Sequence, residues 1–405
     1  MVKRLGIMKS KIDILMVIEG EIATTHLIEH LLSACLRHGI VYRKKLLSEL
    51  LISDIHRSTI PLFVRCGDPS LRLWIERLQH AKHPYLYYID DNFWKIEGDT
   101  PLALYYQHPL IRHSLETAVA HAYKVLTNSD LLAEFLRQHN RAVEVLPSFF
   151  DFSLLQHPPR RKLDEIRVGF AGSSSREQDL EIIKPIIQPI LDSIPNVVFE
   201  FIGVLPSDFK PDDRVRFFPH TSNYENFIHF KEERQWSIGL APLIDSYSNR
   251  CKTNNKYREY SACRIAGIYS DMPPYQQAVT HGETGLLVEH TADAWISAIH
   301  QLISDIPLRE KIAKQAYDNT LERHCVTHVS IIWAEQFALV HRHMKSTRGY
   351  SLRANNFRSF VVTRFLQLES LWVRTSNIYA QGGLRLLTIK IVIRIKLFFS
   401  RKTSL

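Results

Sequence analysis

Lys252, Lys256, Glu259 and Cys263 recur at the i, i+4, i+7 and i+11 spacing that sets side chains along one side of a helix. Read plainly, this is a surface ladder of Lys and Glu worth about 0.2–0.5 kcal/mol per pair. The stretch directly follows "IGLAPLIDSYSN", an apolar run ending in a long polar loop, so the helix would begin close to where a strand ends. Such a helix N-terminus offers unpaired N–H groups and the positive pole of the dipole, which suit an anion. Lysines there oppose the dipole by roughly 0.3–1 kcal/mol, a cost that a bound phosphate offsets. Glu259, one turn deeper, can accept hydrogen bonds from a pair of sugar hydroxyls. A nucleoside diphosphate would satisfy both groups at once.

Two further places carry charge at the end of an apolar run. "YYIDDNFW" ends in adjacent carboxylates, Asp90 and Asp91, and "IPLFVR" ends in Arg65. No further acid or His near Asp90 and Asp91 completes an oxygen cage, so no metal is predicted. The two acids either cap the strand end or orient a second substrate. "GSSSR", Gly172 to Arg176, is a small-residue loop between a strand and a helix, which by itself is often no more than a turn. None of the twenty histidines stands in a spacing that certifies a nucleophile–base pair.

These residues need a scaffold that brings strand ends together. In the first half the strand candidates are "IDILMVI", "IPLFVR", "YLYYID", "YKVLTN" and "VEVLP", with helix-like stretches between them such as Asp130 to Gln138. After "SFFDFSLLQHPPRRKLDE", which reads as a linker, come "IRVGFAG", "VVFEFIG", "VRFFP", "WSIGLAPL", "IAGIYS" and "GLLVE". A helix is predicted from Arg176 to Leu191. Alternation of this kind is the mark of parallel α/β architecture. The prediction is two doubly wound domains, with ligands outside the carboxyl ends of the strands in the cleft between them.

The chain has 405 residues, 45% hydrophobic and 23% charged, the composition of a soluble globular protein. Its N-terminal apolar run is short and bounded by Asp13 and Glu19, which reads as a first strand rather than a signal peptide. The five cysteines are scattered and odd in number, which fits thiols in a reducing compartment, and a cytoplasmic location is expected. Net charge is +9, but residues 348–405 hold eleven Lys or Arg against one acid, Glu369, leaving the rest near −1. The basic character therefore belongs to the tail and does not predict a nucleic-acid ligand. In that tail Phe357, Phe360, Val361, Phe365, Leu368, Leu371 and Trp372 share one helical face, interrupted by Arg364. "LTIKIVIRIKL", residues 387–397, instead alternates like a strand. Residues 349–405 either pack on the protein's own surface or attach to an anionic membrane surface, where each Lys or Arg adds about 1 kcal/mol.

The run "IGLAPLID…SNRCKTNNKYREYSACRIAGIYSDMPPYQQAVTHGETGLLVEHTADAW" resembles the nucleotide-binding half of GT-B glycosyltransferases of the group 1, or family 4, type. "YLYYIDDNFW", "YKVLTNSDLLAEFL" and "VEVLPSFFD" look like their acceptor-side half. The resemblance covers residues 12–340 and is strongest over 237–318. It implies an acceptor-side Rossmann-like domain at 1–155, a nucleotide-sugar-binding one at 156–345, and a basic amphipathic tail at 346–405. Glu259 matches the second member of the family's glutamate pair, which holds the donor ribose. Lys256 matches the lysine of K-x-x-E-Y, and Lys252 with Thr253 matches a Lys-Ser pair. Cys251 stands where the first glutamate would be, and the nearest earlier acid is Asp245. Arg264 and Ala266 replace the usual Gly and Pro. His281 and Gly282 fall in the family's H-G-x-T-G-L-L-V, which shapes a loop around the donor.

By this resemblance Lys252, Lys256 and Arg176 stabilise a departing diphosphate. The donor is held by Gly172, Ser173, Ser174, Asp245, Asn249, Thr253, Glu259, Pro274 and Tyr275. Arg65, Asp90 and Asp91 face the acceptor. The implied reaction moves a sugar from a nucleotide-diphosphate donor to a glycan or lipid-linked cell-envelope acceptor, with retention and with neither metal nor cofactor. The departures from the glutamate pair and the Gly–Pro pair keep a second reading, a binding or assembly subunit. A third, a nucleotide-sugar epimerase, needs acid and base groups near the sugar ring that the sequence does not place.

Overall fold

The computed structural model describes residues 11–98, 100–159, 164–219, 221, 223–346, 365–366, 368–379, 383 and 388. The chain divides into two compact units, one formed by Met1–Leu146 with Ile332–Leu405, the other by Pro147–Ile331.

The first unit carries a six-stranded sheet of β1 (Ile12–Ile18), β2 (Ile40–Leu46), β3 (Thr59–Val64), β4 (Leu86–Tyr88), β5 (Lys124–Thr127) and β6 (Val143–Val145). Its order is β2-β1-β3-β4-β5-β6 and every pairing is parallel. The second unit holds β7 (Ile166–Ala171), β8 (Val197–Ile202), β9 (Val215–Phe218), β10 (Ile238–Ala241), β11 (Ala266–Ser270) and β12 (Leu286–Val288). These are ordered β12-β11-β10-β7-β8-β9, again all parallel. Parallel strands covered on both faces bury both sets of side chains. β3, β8, β10 and β11 are accordingly buried throughout and apolar except at Thr59, Glu200 and Ser270. Each sheet has a point where strand order reverses, between β1 and β3 in one and between β7 and β10 in the other, and ligands of such folds gather there.

Three expectations need correction. β2 escaped the sequence reading because it is an edge strand: Arg43, Lys44 and Lys45 break its apolar pattern, and only Ile40 is buried. The helix expected from Arg176 to Leu191 is a short turn at Ser174–Arg176, a helix at Glu177–Leu180 and another at Lys184–Ser193. Pro185 lies in the first turn of that last helix, where proline is favoured and marks a helix start, while Pro189 is accommodated inside it. The unit boundaries also differ from 155/156 and 345/346. Residues 147–155 join the second unit because Phe150 N–H donates to the His324 carbonyl at 2.8 Å, and Phe150 and Leu155 pack with Ile228 and Ala262. Residues 332–346 join the first: Lys124 Nζ donates to Gln336 Oε1 at 2.9 Å, and Trp333 packs 5.5 Å from Tyr88 between ring centroids.

The expected tail at 346–405 is largely outside the described residues, including the alternating segment 387–397. Its described helical part, 365–366 and 368–379, belongs to the first unit and bonds directly to it. No helix among the described residues is long and apolar enough to cross a membrane.

Candidate functional site

In the second unit the site grows from the strand ends at the reversal between β7 and β10. β7 ends at Ala171, and the chain turns at Gly172, whose N–H donates to the Ile202 carbonyl at 2.9 Å. A Cβ on Gly172 would come within 2.9 Å of the Phe170 ring and 3.1 Å of Arg176 Cβ, so the turn needs glycine. Ser173 and Ser174 are exposed on this loop, with the Ser173 and Ser175 hydroxyls 2.8 Å apart. Arg176 Nη1 donates to Asp179 Oδ2 at 3.1 Å. The other oxygen of buried Asp179 accepts the Ile244 N–H at 2.9 Å, so one carboxylate ties the loop after β7 to the loop after β10.

The helix that carries Lys256 and Glu259 runs from Asn255 to Ala262. Lys252 therefore lies before it, in a turn where its N–H donates to Asn249 O at 3.1 Å, and the four-residue ladder does not form. Arg264 occupies the left-handed position normally left to glycine, at φ 56°, and Ile265 N–H still returns to Tyr260 O at 2.9 Å. The helix end is thus kept without glycine, with the Arg264 guanidinium 4.0 Å over the Tyr317 ring.

Lys256 points its ammonium at the end of β7, donating to the Ala171 carbonyl at 2.7 Å and lying 4.6 Å from the Phe170 ring centroid. Burial first, and then the Arg176 guanidinium, lower its pKa to about 7, against the opposing pull of Glu259. The Gly172 loop, Arg176 and Lys256 therefore meet at one strand end, with Arg176 ion-paired to Asp179.

Glu259 is differently placed. Lys231 Nζ is 2.5 Å from its Oε2, and the Tyr224 hydroxyl donates to its Oε1 at 3.2 Å. Burial alone would raise the Glu259 carboxyl, but the Lys231 ammonium, followed by Lys256, holds it below its ordinary value. Both oxygens thus have partners within the chain. The Lys231 side chain is fully buried, and its sequence context, "FKEER", gives no hint of it.

The remaining donor candidates divide. Asp245 makes a two-point ion pair with Arg250 at 2.5 and 2.6 Å on an exposed loop, and the Asn249 amide donates to the Ile244 carbonyl at 2.8 Å. Those two shape the loop. Thr253 Oγ1 bonds Ser148 Oγ at 3.2 Å, while Pro274 and Tyr275 are buried, Tyr275 packing 5.0 Å from the Tyr269 ring. His281 accepts the Leu287 N–H at 3.1 Å and Gly282 takes φ 78°, a structural role as the motif implied.

In the first unit the reversal lies between β1 and β3, and the residues directly beyond both strands, Glu19 and Arg65, are charged and half-buried. Arg65, in left-handed conformation at φ 53°, sets Nη1 3.2 Å from Asp90 Oδ1, 3.5 Å from Asp91 Oδ2 and 2.8 Å from Thr24 Oγ1. Its guanidinium also lies 4.6 Å over the Phe93 ring. Burial would lower the Arg65 pKa, but Asp90 and Asp91 raise it above its ordinary value; burial raises the Asp90 carboxyl, against Arg65. The structure brings all three acceptor-side candidates together.

Beside them the sequence reading missed Glu19, which directly follows β1. Its Oε1 accepts from the Gly67 and Asp68 amides, each at 2.5 Å, and its Oε2 from the Tyr105 hydroxyl at 2.9 Å. Burial and the Asp68 charge raise the Glu19 carboxyl. An acid immediately after a buried strand was the available signal.

Among the described residues one trio, Glu21, His26 and Glu29, has potential ligand atoms within 4.8 Å of one another. Lys44 Nζ sits 2.8 Å from Glu21 and 2.5 Å from Glu29, where it supplies the cation itself. None of the five cysteines is in a disulfide.

Residues 257–319 match the family model for glycosyl transferases group 1. HepE of Anabaena, solved with UDP-glucose, is similar in structure at 15% identity and a TM-score of 0.58, over 81% of this chain and 99% of that one. Sucrose-phosphate synthase of Thermosynechococcus elongatus is similar at 14% identity and a TM-score of 0.53, over 82% and 99%. TarM of S. aureus, solved with UDP among its ligands, aligns at 12% identity and a TM-score of 0.52, over 71% and 57%. No curated protein matches the chain by sequence. The fold is GT-B, an α/β architecture of two Rossmann-like units. The segment that holds Glu259, Pro274 and Tyr275 lies within the stretch that matches the glycosyl transferases group 1 model.

Proposed function

We propose that this protein transfers a glycosyl group from a nucleoside-diphosphate sugar to a glycan or lipid-linked acceptor of the cell envelope, with retention and without a bound metal. The observation that carries the reading is Lys256 on the Ala171 carbonyl, beside the Gly172 loop and Arg176 at the strand-order reversal. As the bond from the anomeric carbon to the diphosphate breaks, charge builds on the leaving oxygen. Arg176, and Lys256 as the growing phosphate charge protonates it, favour the transition state over the bound substrate. The uridine diphosphate in the HepE and TarM structures supports a uridine nucleotide as the first donor to test. Arg65, Asp90 and Asp91 form a second polar strand end suited to orienting acceptor hydroxyls.

The test is release of UDP from a panel of UDP-sugars with and without glycan acceptors, with the product anomer read by NMR. Acceptor-dependent release with inversion removes the stereochemical part, and absence of release with every donor removes the transferase. One observation favours a second reading, a nucleotide-binding assembly subunit: both Glu259 oxygens already have partners, Lys231 and Tyr224. UDP binding by calorimetry with no turnover would select it.

A further inference from the structure

The helical stretch 368–379 is attached to the first unit by polar bonds and by buried Val373. Ser370 Oγ donates to Asp68 Oδ1 and Oδ2 at 2.8 and 2.6 Å, and Arg374 Nη2 donates to Asp68 Oδ2 at 2.7 Å. Arg72 pairs with Glu369, and Trp372 meets the His108 ring edge-on at 4.9 Å. Leu366, Ser370 and Val373 are buried. At about 100° per residue these three fall on one side of the helix and Phe365, Leu368, Leu371, Trp372 and Tyr379 on the other. Each of those five large side chains is more than half exposed. An amphipathic helix normally turns such a face inward; here the side that buries Leu366, Ser370 and Val373 is held by Asp68, and a larger apolar face is left outward.

Charge decides the occupant. Glu369 is the one acid in residues 348–405, against eleven Lys or Arg, and it is turned onto Arg72. What this segment offers outward is therefore aromatic and aliphatic surface, and the sequence on either side of it is strongly basic. A second copy of the chain would bring two such basic segments together, whereas an anionic lipid surface complements both features. Trp and Tyr also favour the boundary between headgroups and acyl chains.

We propose that residues 368–379 form an interfacial helix that seats the first unit on an anionic bilayer, with the Leu368, Leu371, Trp372 and Tyr379 face in the headgroup boundary. The seat is continuous with Glu19 beyond the end of β1, because Asp68 receives the helix through its carboxylate while its own amide donates to Glu19. The proposal does not rest on the glycosyl-transfer reading, since binding can be measured without a donor.

The experiment is co-sedimentation of the full-length protein with vesicles of phosphatidylcholine alone and of phosphatidylcholine mixed with phosphatidylglycerol. The wild-type protein should partition onto the anionic vesicles, less at high salt, and little onto the neutral ones. The triple variant Leu368→Gln, Leu371→Gln, Tyr379→Gln should lose about tenfold or more in partition coefficient with an unchanged melting temperature. Leu368→Asp alone should act in the same direction. Absence of wild-type binding, or full binding by both variants, overturns the proposal. So does a large fall in melting temperature, which would mean that the chain itself covers the face. A wild-type dimer that the triple variant converts to monomer would assign the face to a second copy instead.

Discussion

The ammonium of Lys231 lies 2.5 Å from Glu259 Oε2, and the Lys231 side chain has no exposed surface. The carboxylate that best matches a ribose-holding glutamate is thus also the counter-ion of a fully buried lysine. Glu259→Gln leaves that ammonium without its charge partner, a loss on the order of 3–5 kcal/mol for buried pairs. A marked fall in melting temperature is expected on top of weaker UDP binding. Pairing Glu259→Gln with Lys231→Met should restore much of the stability and none of the affinity. If affinity returns with stability, Glu259 serves the fold alone.

Arg65 poses the same question in the first unit. It is the cation between Asp90 and Asp91, and Asp90 is largely buried. Arg65→Met should destabilise by about 2–4 kcal/mol, with part of the loss recovered in the double variant with Asp90→Asn. On the proposed reaction, the double variant should raise the acceptor KM and leave the donor KM in place. A raised donor KM with an unaltered acceptor KM would assign this cluster to the other substrate.

His324 gives a prediction in pH. Its Nδ1 is 3.0 Å from the Ser148 carbonyl, and burial, followed by the charge of Arg258, lowers its pKa from 6.5 to about 4. The unfolded chain binds the proton more tightly, so stability is full above about 6.5 and falls as the pH drops toward 4, by roughly 1.4 kcal/mol per unit at most. Denaturant titrations across this range should show the slope, and His324→Gln should flatten it. An equal slope in the variant would move the effect to other groups.

The β-strands of the second unit were legible because each is a short apolar run between turn residues, and six of six appear there. β2 was not, since its three basic residues give an edge strand the look of a loop. The same asymmetry holds for the site. Lys256 and the Gly172 loop could be found because each sits at the end of a recognisable element. Lys231 could not: it meets Glu259 across 28 residues of sequence, and local pattern carries nothing about which helix face meets which. The outward face of 368–379 shows the converse. Periodicity found the apolar stripe, but only the bonds from Asp68 to Ser370 and Arg374 say which side of the helix is turned away.

Lys256 yields the sharpest test of the donor site. Its pKa is lowered to about 7 by burial and by Arg176, so at pH 8 most of the population is neutral. A diphosphate placed beside it favours the charged form and raises the pKa toward the ordinary lysine value of 10.5. Binding at pH 8 should then take up close to one proton from the buffer, and binding below about pH 6 should take up almost none at this site. Calorimetry of UDP binding in phosphate and in Tris, whose ionisation enthalpies differ widely, reads the uptake directly. Lys256→Met should abolish it and weaken binding by about tenfold or more, since a charge-assisted bond contributes about 1.5–3 kcal/mol. Stability should not fall, because the variant replaces a partly buried, disfavoured cation with an apolar chain of similar length. If proton uptake at pH 8 persists in Lys256→Met, the diphosphate does not lie against the end of β7.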